Sequence, residues 1–243
     1  LERAQRIIES VNPDILALTE ACYGGPNAQD ISMDYSELFN FPYSQFGGYP
    51  TFGPRKSDEG GNCLLSKLPM EARAVTLAHK GAIRGKVLLE DRILTVDVVH
   101  PSQSVDDAEK IKTLAPIILE KQDPYILTGD FNTLYPGEEY DFQQLEEELK
   151  SFNAKRAASM VDNWRRAELV SWIIDQGLVD AFPVEARQST VPTRYTYGED
   201  RAGVRMDFFF VSPEIKVKDA YVLKNEDTEQ ASDHYPIVTT IDF

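Results

Sequence analysis

The sequence predicts an α/β fold in packed layers, on three observations. Short apolar runs of strand type occur near the start of the chain and fill its last third; segments with helical spacing lie between them; and no repeat or low-complexity linker divides the 243 residues. At ~100–200 residues per domain, this length reads as a single domain over 1–243. Strands at both ends with helices between them argue for α/β layers and against separate α and β domains.

The elements follow in order. Ala4, Ile7 and Ile8 recur at helical spacing among charges, which predicts a helix over 1–10 that ends before Pro13. Residues 14–20, Asp-Ile-Leu-Ala-Leu-Thr-Glu, form an apolar run too short for a helix and read as a buried strand with Glu20 at its end. Residues 21–60 are rich in Gly, Pro and aromatics and read as irregular surface over the sheet. Strands are then predicted over 62–66, 72–78, 85–90 and 93–99, with a tight turn near Asp91. The last of them delivers His100. Ser104 is a plausible N-cap for a helix reaching about residue 121, with acids in its first turn. A strand over 125–128 ends in Gly129-Asp130-Phe131-Asn132, and the acidic stretch 138–148 reads as a solvated helix. One further helix is predicted over 162–176, stopped by Gly177, with Trp164 and Trp172 eight apart on one core-facing side. Strands over 204–211, 216–223 and 237–241 complete the chain.

Composition narrows the function. With 25 Lys+Arg against 40 Asp+Glu the formal charge is −15 and the pI about 4.6. That opposes a generally basic nucleic-acid-binding surface, but leaves room for a cleft where bound cations reverse the local field. Hydrophobic residues at 42% and charged residues at 27% are ordinary for a globular domain and argue against disorder, collagen and coiled coil. Cys22 and Cys63 are too few for a disulfide framework and have no zinc-finger spacing, so two reduced thiols are expected. No apolar run approaches the ~20 residues of a membrane span. No secretory signal is visible, so a cytoplasmic protein is expected, although the chain opens at Leu1 and processing at the N-terminus is compatible with that.

Seven polar residues recur at one kind of place. Glu20, His100, Asp130, Asn132, Asp207, Asp233 and His234 each end, follow or interrupt a strand-like run. In layered α/β folds such strand ends converge on a crevice where ligands sit. Any one alone reads as a cap or turn residue; seven at matched positions, with two of the three histidines, point to a site.

These residues also carry a family resemblance. Asn-Pro-Asp-Ile-Leu-Ala-Leu-Thr-Glu (12–20), Gly-Asn-Cys-Leu-Leu-Ser-Lys-Leu-Pro (61–69), Val-Val-His (98–100), Gly-Asp-Phe-Asn (129–132), Arg-Met-Asp-Phe-Phe-Phe-Val-Ser (205–212) and Ser-Asp-His-Tyr-Pro (232–236) occur in this order. Together they resemble the ordered motifs of the endonuclease/exonuclease/phosphatase superfamily, which contains pancreatic-type DNases, abasic-site endonucleases, neutral sphingomyelinases and inositol polyphosphate 5-phosphatases. The resemblance implies a four-layer α/β sandwich, two mixed β-sheets packed face to face with helices outside. It also implies a Mg²⁺- or Mn²⁺-dependent phosphoester hydrolase.

Carried over position by position, the resemblance makes Glu20 a ligand of the divalent metal, with Asp233 completing or approaching that site, as hard carboxylates suit Mg²⁺ or Mn²⁺. Asp130 and Asn132, two apart on an extended segment, point the same way, to position the attacking water and hold a phosphoryl oxygen. Asp207 accepts the ring N–H of His234 and raises its basicity, so that His234 or Asp130 takes the proton; the sequence leaves both open. His100 donates to a non-bridging oxygen or protonates the leaving group. Asn62 is expected on His100 or the phosphate, with a turn role as the alternative. Arg194, Tyr197 and Arg205, within a basic and aromatic cluster just before the Asp207 strand, read either as substrate-binding residues or as ordinary surface.

The family pattern has a strand carrying an Asn upstream of the first helix, so the single domain is expected to lack its first β-strand here. Thr19 stands where Gln commonly precedes the metal Glu. The partners expected are a phosphoester substrate, small molecule or nucleic acid, on a monomer with no membrane span. Because −15 opposes a long duplex footprint, a small or single-stranded phosphodiester or a phosphomonoester leads. A DNA-end or abasic-site nuclease comes second. A catalytically silent binding module would be expected to have lost one of the seven residues, and all are present.

Overall fold

The computed structural model describes residues 1–21, 35–48, 60–78, 80–191 and 203–242, without the side chains of 152 and 153. Cys22, His79, Arg194 and Tyr197 lie outside the described residues. Helix α1 (Glu2–Val11) and strand β1 (Ile15–Ala21) open the chain, followed by α2 (Tyr35–Phe39), β2 (Tyr43–Gly48) and β3 (Gly61–Ser66). Next come β4 (Met70–Thr76), β5 (Gly81–Leu88), β6 (Ile93–Val99), α3 (Asp107–Leu119) and β7 (Tyr125–Asp130). Helices α4 (Phe142–Asn153), α5 (Ala157–Arg166) and α6 (Glu168–Asp175) lead to β8 (Val179–Asp180), β9 (Asp207–Val211), β10 (Lys216–Val222), α7 (Thr228–Ala231) and β11 (Ile237–Asp242).

The strands form a six-stranded sheet in the order β4-β5-β6-β7-β9-β8, a three-stranded sheet β1-β3-β2 and a hairpin β10-β11. Pairing is antiparallel except for β6 with β7, so the large sheet is mixed. One face of it carries Ile83, Val96, Val98, Ile126 and Val211, packed against Ile15, Ala17 and Leu64 of the small sheet and Ala220, Val222, Ile237 and Ile241 of the hairpin. The other face sets Val99, Leu127, Phe208 and Phe210 against Leu114, Ile117 and Ile118 of α3 and Leu169, Val170 and Ile173 of α6. Leu16, Leu18, Cys63 and Leu65 point from the small sheet toward Ile8 of α1 and Tyr35 and Leu38 of α2. The result is helix, sheet, sheet, helix, and it explains why β1 reads as an unbroken apolar run: alternate residues serve two different cores. Exposed ion pairs from Arg3 and Arg6 of α1 reach Asp227, the residue before α7. No described helix is long and apolar enough to cross a membrane.

The departures from the sequence expectations have local causes. Strand β2 falls where irregular surface was expected, because Gly47 and Gly48 weaken the strand signal; glycine at 47 lets β2 pass within contact of Ala74 on β4. The cap of α3 is Asp106, which accepts from Glu109 N at 2.9 Å, in place of Ser104. The helix expected over 162–176 is two helices, broken at Ala167 with φ 48°. Trp164 and Trp172 therefore sit on different helices and in different cores.

Among the described glycines, Gly129 stands closest to a neighbouring backbone. It pairs with Val99 across β6 and β7, has φ 141°, and any Cβ there would run into the Val99 carbonyl oxygen. Gly129→Ala is expected to destabilise the protein by roughly 3 kcal/mol or more, or to prevent folding, since it combines overpacking with a strained φ; denaturant unfolding of the variant checks this.

Candidate active site

The site lies where β1, β6, β7 and β9 end or begin together. The ladder between β1 and β3 slips between Leu18 and Ala21, and Glu20 takes φ 51° in that bulge, which leaves its side chain 68% exposed. Strand β6 carries His100 as its next residue, while the parallel neighbour β7 ends at Asp130, so the Val99–Gly129 pair sets the two side by side. His100 is buried, with Nε2 3.3 Å from Asp130 Oδ2 and 3.7 Å from Glu20 Oε1. Lys80, which the sequence reading passed over, joins them: its Nζ lies 3.2 Å from Glu20 Oε1 and 2.7 Å from His100 Nε2. A single ring nitrogen cannot accept from the Lys80 ammonium and donate to Asp130 at once, so the two compete for Nε2. Burial lowers the Lys80 pKa from its ordinary value, against the pull of Glu20 and Asp130.

Asp130 and Asn132 are set by a turn. Asn132 has φ 49°, and its N–H donates to Asp130 Oδ1 at 2.7 Å, so the segment folds back where an extended one was expected. Asn132 Nδ2 donates to Pro101 O at 3.0 Å, and its carbonyl accepts from Lys110 Nζ at 2.6 Å and Trp164 Nε1 at 3.1 Å. Burial alone would raise the Asp130 pKa. The hydrogen bond and charge of His100, the charge of His234 and the Asn132 N–H outweigh it and hold the carboxyl below its usual range.

Asp207 opens β9 directly opposite Asp130 in the antiparallel ladder. Its Oδ2 lies 2.7 Å from His234 Nδ1, as the sequence reading anticipated for this pair. Thr190 ties the arrangement together: its hydroxyl accepts from Met206 N at 3.0 Å and Asp207 N at 3.3 Å, and its carbonyl accepts from Tyr235 N at 2.6 Å, next to His234. Burial lowers the His234 pKa, but Asp207, Asp130 and Asp233 together push it up to about 10. At neutral pH this histidine is an imidazolium, a donor without a lone pair to offer. Asp233 itself is exposed and acts on the site through that charge.

Two of the residues expected to touch substrate are committed elsewhere. Arg205 is 2% exposed, paired with Glu138 and with Asp180 Oδ2 at 2.9 Å, and stacked over Tyr135 and Phe208. Its basic charge is spent on a buried network under the Asp207 strand, which corrects the substrate-binding expectation. Asn62 is buried, and its Nδ2 donates to Gly81 O at 2.8 Å and Val98 O at 3.4 Å, pinning the small sheet to the strand ends beside Lys80 and His100. That amide donor thus serves the scaffold.

Among the described residues no three His, Cys, Asp or Glu side chains are gathered into a metal cage. The donor chemistry present suits a different kind of site. Glu20 offers an exposed carboxylate and Asp130 an ionised one, on either side of His100. Mg²⁺ is commonly held by one or two carboxylates with water completing the shell, so these residues fit it.

A family model described as "Endonuclease/Exonuclease/phosphatase family" matches residues 1–234. No curated protein matches by sequence. Among solved structures, an endonuclease/exonuclease/phosphatase from Beutenbergia cavernae superposes with TM-score 0.71 at 17% identity, covering 98% of this chain and 65% of that one. A 3' phosphatase from Neisseria bound to a product DNA hairpin gives 0.65 at 16% identity, covering 100% and 94%. TDP2 from D. rerio, complexed with a single-strand DNA product, gives 0.60 at 16% identity, with the same coverages of 100% and 94%. The chain thus spans about two thirds of the Beutenbergia protein and nearly all of the other two. At these identities the likeness is one of fold.

The His234 pKa yields a measurable sign. A histidine whose folded pKa exceeds its unfolded value contributes stability that is full below about 6.5 and is lost as pH rises through about 10. In metal-free protein, an NMR titration is expected to find the His234 ring still protonated at pH 8. Asp207→Asn is expected to move its midpoint down by at least a unit.

Proposed function

The chain belongs to the endonuclease/exonuclease/phosphatase family, and from that premise we propose that it is a metal-dependent phosphoester hydrolase acting by in-line attack of water. The observation that carries this reading is the convergence of Glu20, His100 and Asp130 with the Asp207–His234 pair at one end of the sheets. Family membership is compatible with both phosphatase and nuclease chemistry, and the residues favour phosphorus as the centre attacked.

Asp130 is ionised and backed by the Asn132 N–H, so it orients the attacking water and accepts its proton. His234, held as imidazolium by Asp207, donates to a non-bridging phosphoryl oxygen as charge builds there. The second N–H of the Asn132 amide serves the same oxygens, while the first stays on Pro101. His100, released from Lys80, presents its N–H to the phosphate or the leaving oxygen. Glu20 and Asp130 would hold Mg²⁺ or Mn²⁺, with Asp233 near by. When bound, the ion neutralises charge on the phosphoryl and leaving oxygens. With no activated Ser or Cys among the described site residues, direct attack with inversion at phosphorus is the route.

The net charge of −15 favours a phosphomonoester or a small or single-stranded diester over a long duplex. Arg194 and Tyr197 are proposed as substrate contacts on sequence grounds alone. A second reading, a DNA-end or abasic-site enzyme, draws support from the solved relatives captured with DNA products.

Purified protein with Mg²⁺ or Mn²⁺ is expected to hydrolyse at least one member of a panel spanning nucleotides, inositol phosphates, lipid headgroups, single-stranded DNA and abasic or nicked duplexes. Chelation should abolish turnover, and a metal-independent rate would refute the mechanism. Asp130→Asn should lower kcat by ~10²-fold or more; unchanged kcat would remove Asp130 from the reaction. A preference for abasic or nicked duplex would favour the second reading.

A further inference from the structure

Lys110 is a buried cation that no step of the proposed reaction uses. It sits on α3, 1% exposed, with Nζ 3.0 Å from Asp107 Oδ1 and 2.6 Å from the Asn132 carbonyl. Asp107 is fully buried and saturated. Its Oδ1 also accepts from Asn163 Nδ2 at 3.0 Å, and its Oδ2 accepts from Thr133 Oγ1 at 2.8 Å and Leu169 N at 3.1 Å. The break at Ala167 is what turns the Leu169 N–H toward this carboxylate.

Burying an ion pair is commonly no better for stability than packing apolar side chains of the same volume. The pair therefore asks for a reason beyond folding, and its contacts supply one. The Lys110 ammonium holds the carbonyl of Asn132, a non-glycine residue kept at φ 49° in a region that costs conformational energy. The same Asn132 donates its N–H to Asp130 Oδ1. Thr133, the next residue, is gripped by Asp107. Trp164 supplies a second, neutral donor to the Asn132 carbonyl, so the loop has support even without the charge.

We propose that the Lys110–Asp107 pair is a positioning device for catalysis: it fixes the left-handed turn at Asn132 and, through the Asn132 N–H, sets the orientation of the Asp130 carboxylate toward the attacking water. The inference rests on the phosphoesterase reading. It assigns Lys110 and Asp107 a role in turnover that acts through Asn132 and not by touching the substrate. A misplacement of ~1 Å in a reacting group can cost ~10²-fold in rate, so a small relaxation of this turn is enough to be seen.

The test separates positioning from folding. Lys110→Met alone leaves Asp107 charged and unpaired, and is expected to lose both stability and activity. The double variant Lys110→Met/Asp107→Asn removes both charges while keeping an acceptor for Thr133 and Leu169, with its new amide donor facing Asn163 Nδ2. It is expected to recover part of the lost thermal stability, yet to keep kcat at least ~10-fold below wild type with KM within about twofold. Lys110→Gln, whose amide can still donate to the Asn132 carbonyl, is expected to regain part of that kcat. Recovery of kcat in step with stability in the double variant would overturn the inference, as would a loss confined to KM. A wild-type protein inactive on every phosphoester in the panel would instead overturn the functional reading, and this inference would fall with it.

Discussion

At the Val99–Gly129 pair two parallel strands come together without room for a side chain between their backbones. The rest of the site takes its geometry from that contact. Because β6 and β7 run in the same direction and end level, the residues that leave them, His100 and Asp130, emerge as neighbours, and Asp207 faces Asp130 from the antiparallel strand on the other side. One histidine and two carboxylates are thus brought side by side by one sheet, and the turn at Asn132 then orients the Asp130 carboxylate. Glu20 and His234 are brought in from outside it, by the small sheet and by the segment between β10 and β11.

Charge at the site is balanced locally in a molecule that is strongly acidic overall. Glu20 has Lys80, Asp207 has His234, Asp107 has Lys110, and Asp130 lies between His100 and His234. Glu20, Asp130 and Asp207 therefore each meet a cation within the fold, so the acid excess lies mainly outside the site. On the proposed reading, a phosphate entering the cleft would meet the imidazolium of His234, and not the average field of the protein. This is how an acidic protein can present a locally receptive anion site.

Much of this was legible in the chain, for identifiable reasons. The strand-end residues stood out because apolar runs stop abruptly at Glu20, His100 and Asp130, and the Asp207–His234 pairing follows from the resemblance and from imidazole chemistry. What was not legible depends on contacts between distant segments. Lys80, Thr190 and Lys110 carry no local signal: each resembles an ordinary surface or turn residue until β5, β9 and α3 are packed. Arg205 misled for the mirror-image reason. A basic residue near an aromatic cluster suggests a ligand contact, but Glu138 and Asp180 reach it from 67 and 25 residues away and consume its charge. The break at Ala167 was hidden too, since alanine favours helix, and the fold overrides that preference to aim a backbone N–H at Asp107.

The hairpin β10-β11 has a consequence for how activity responds to its surroundings. Among the described residues its two strands are hydrogen-bonded only to each other as a sheet, and the segment joining them carries His234. One tie between that segment and the N-terminal helix is the cluster of Arg3 and Arg6 on Asp227, at the surface, where ionic strength weakens such pairs. The joining segment is also held by Tyr235 N on the Thr190 carbonyl and by His234 on Asp207. On the proposed reading, weakening the surface tie would bear on turnover through the ordering of the segment that carries the imidazolium, separately from any screening of the substrate's charge.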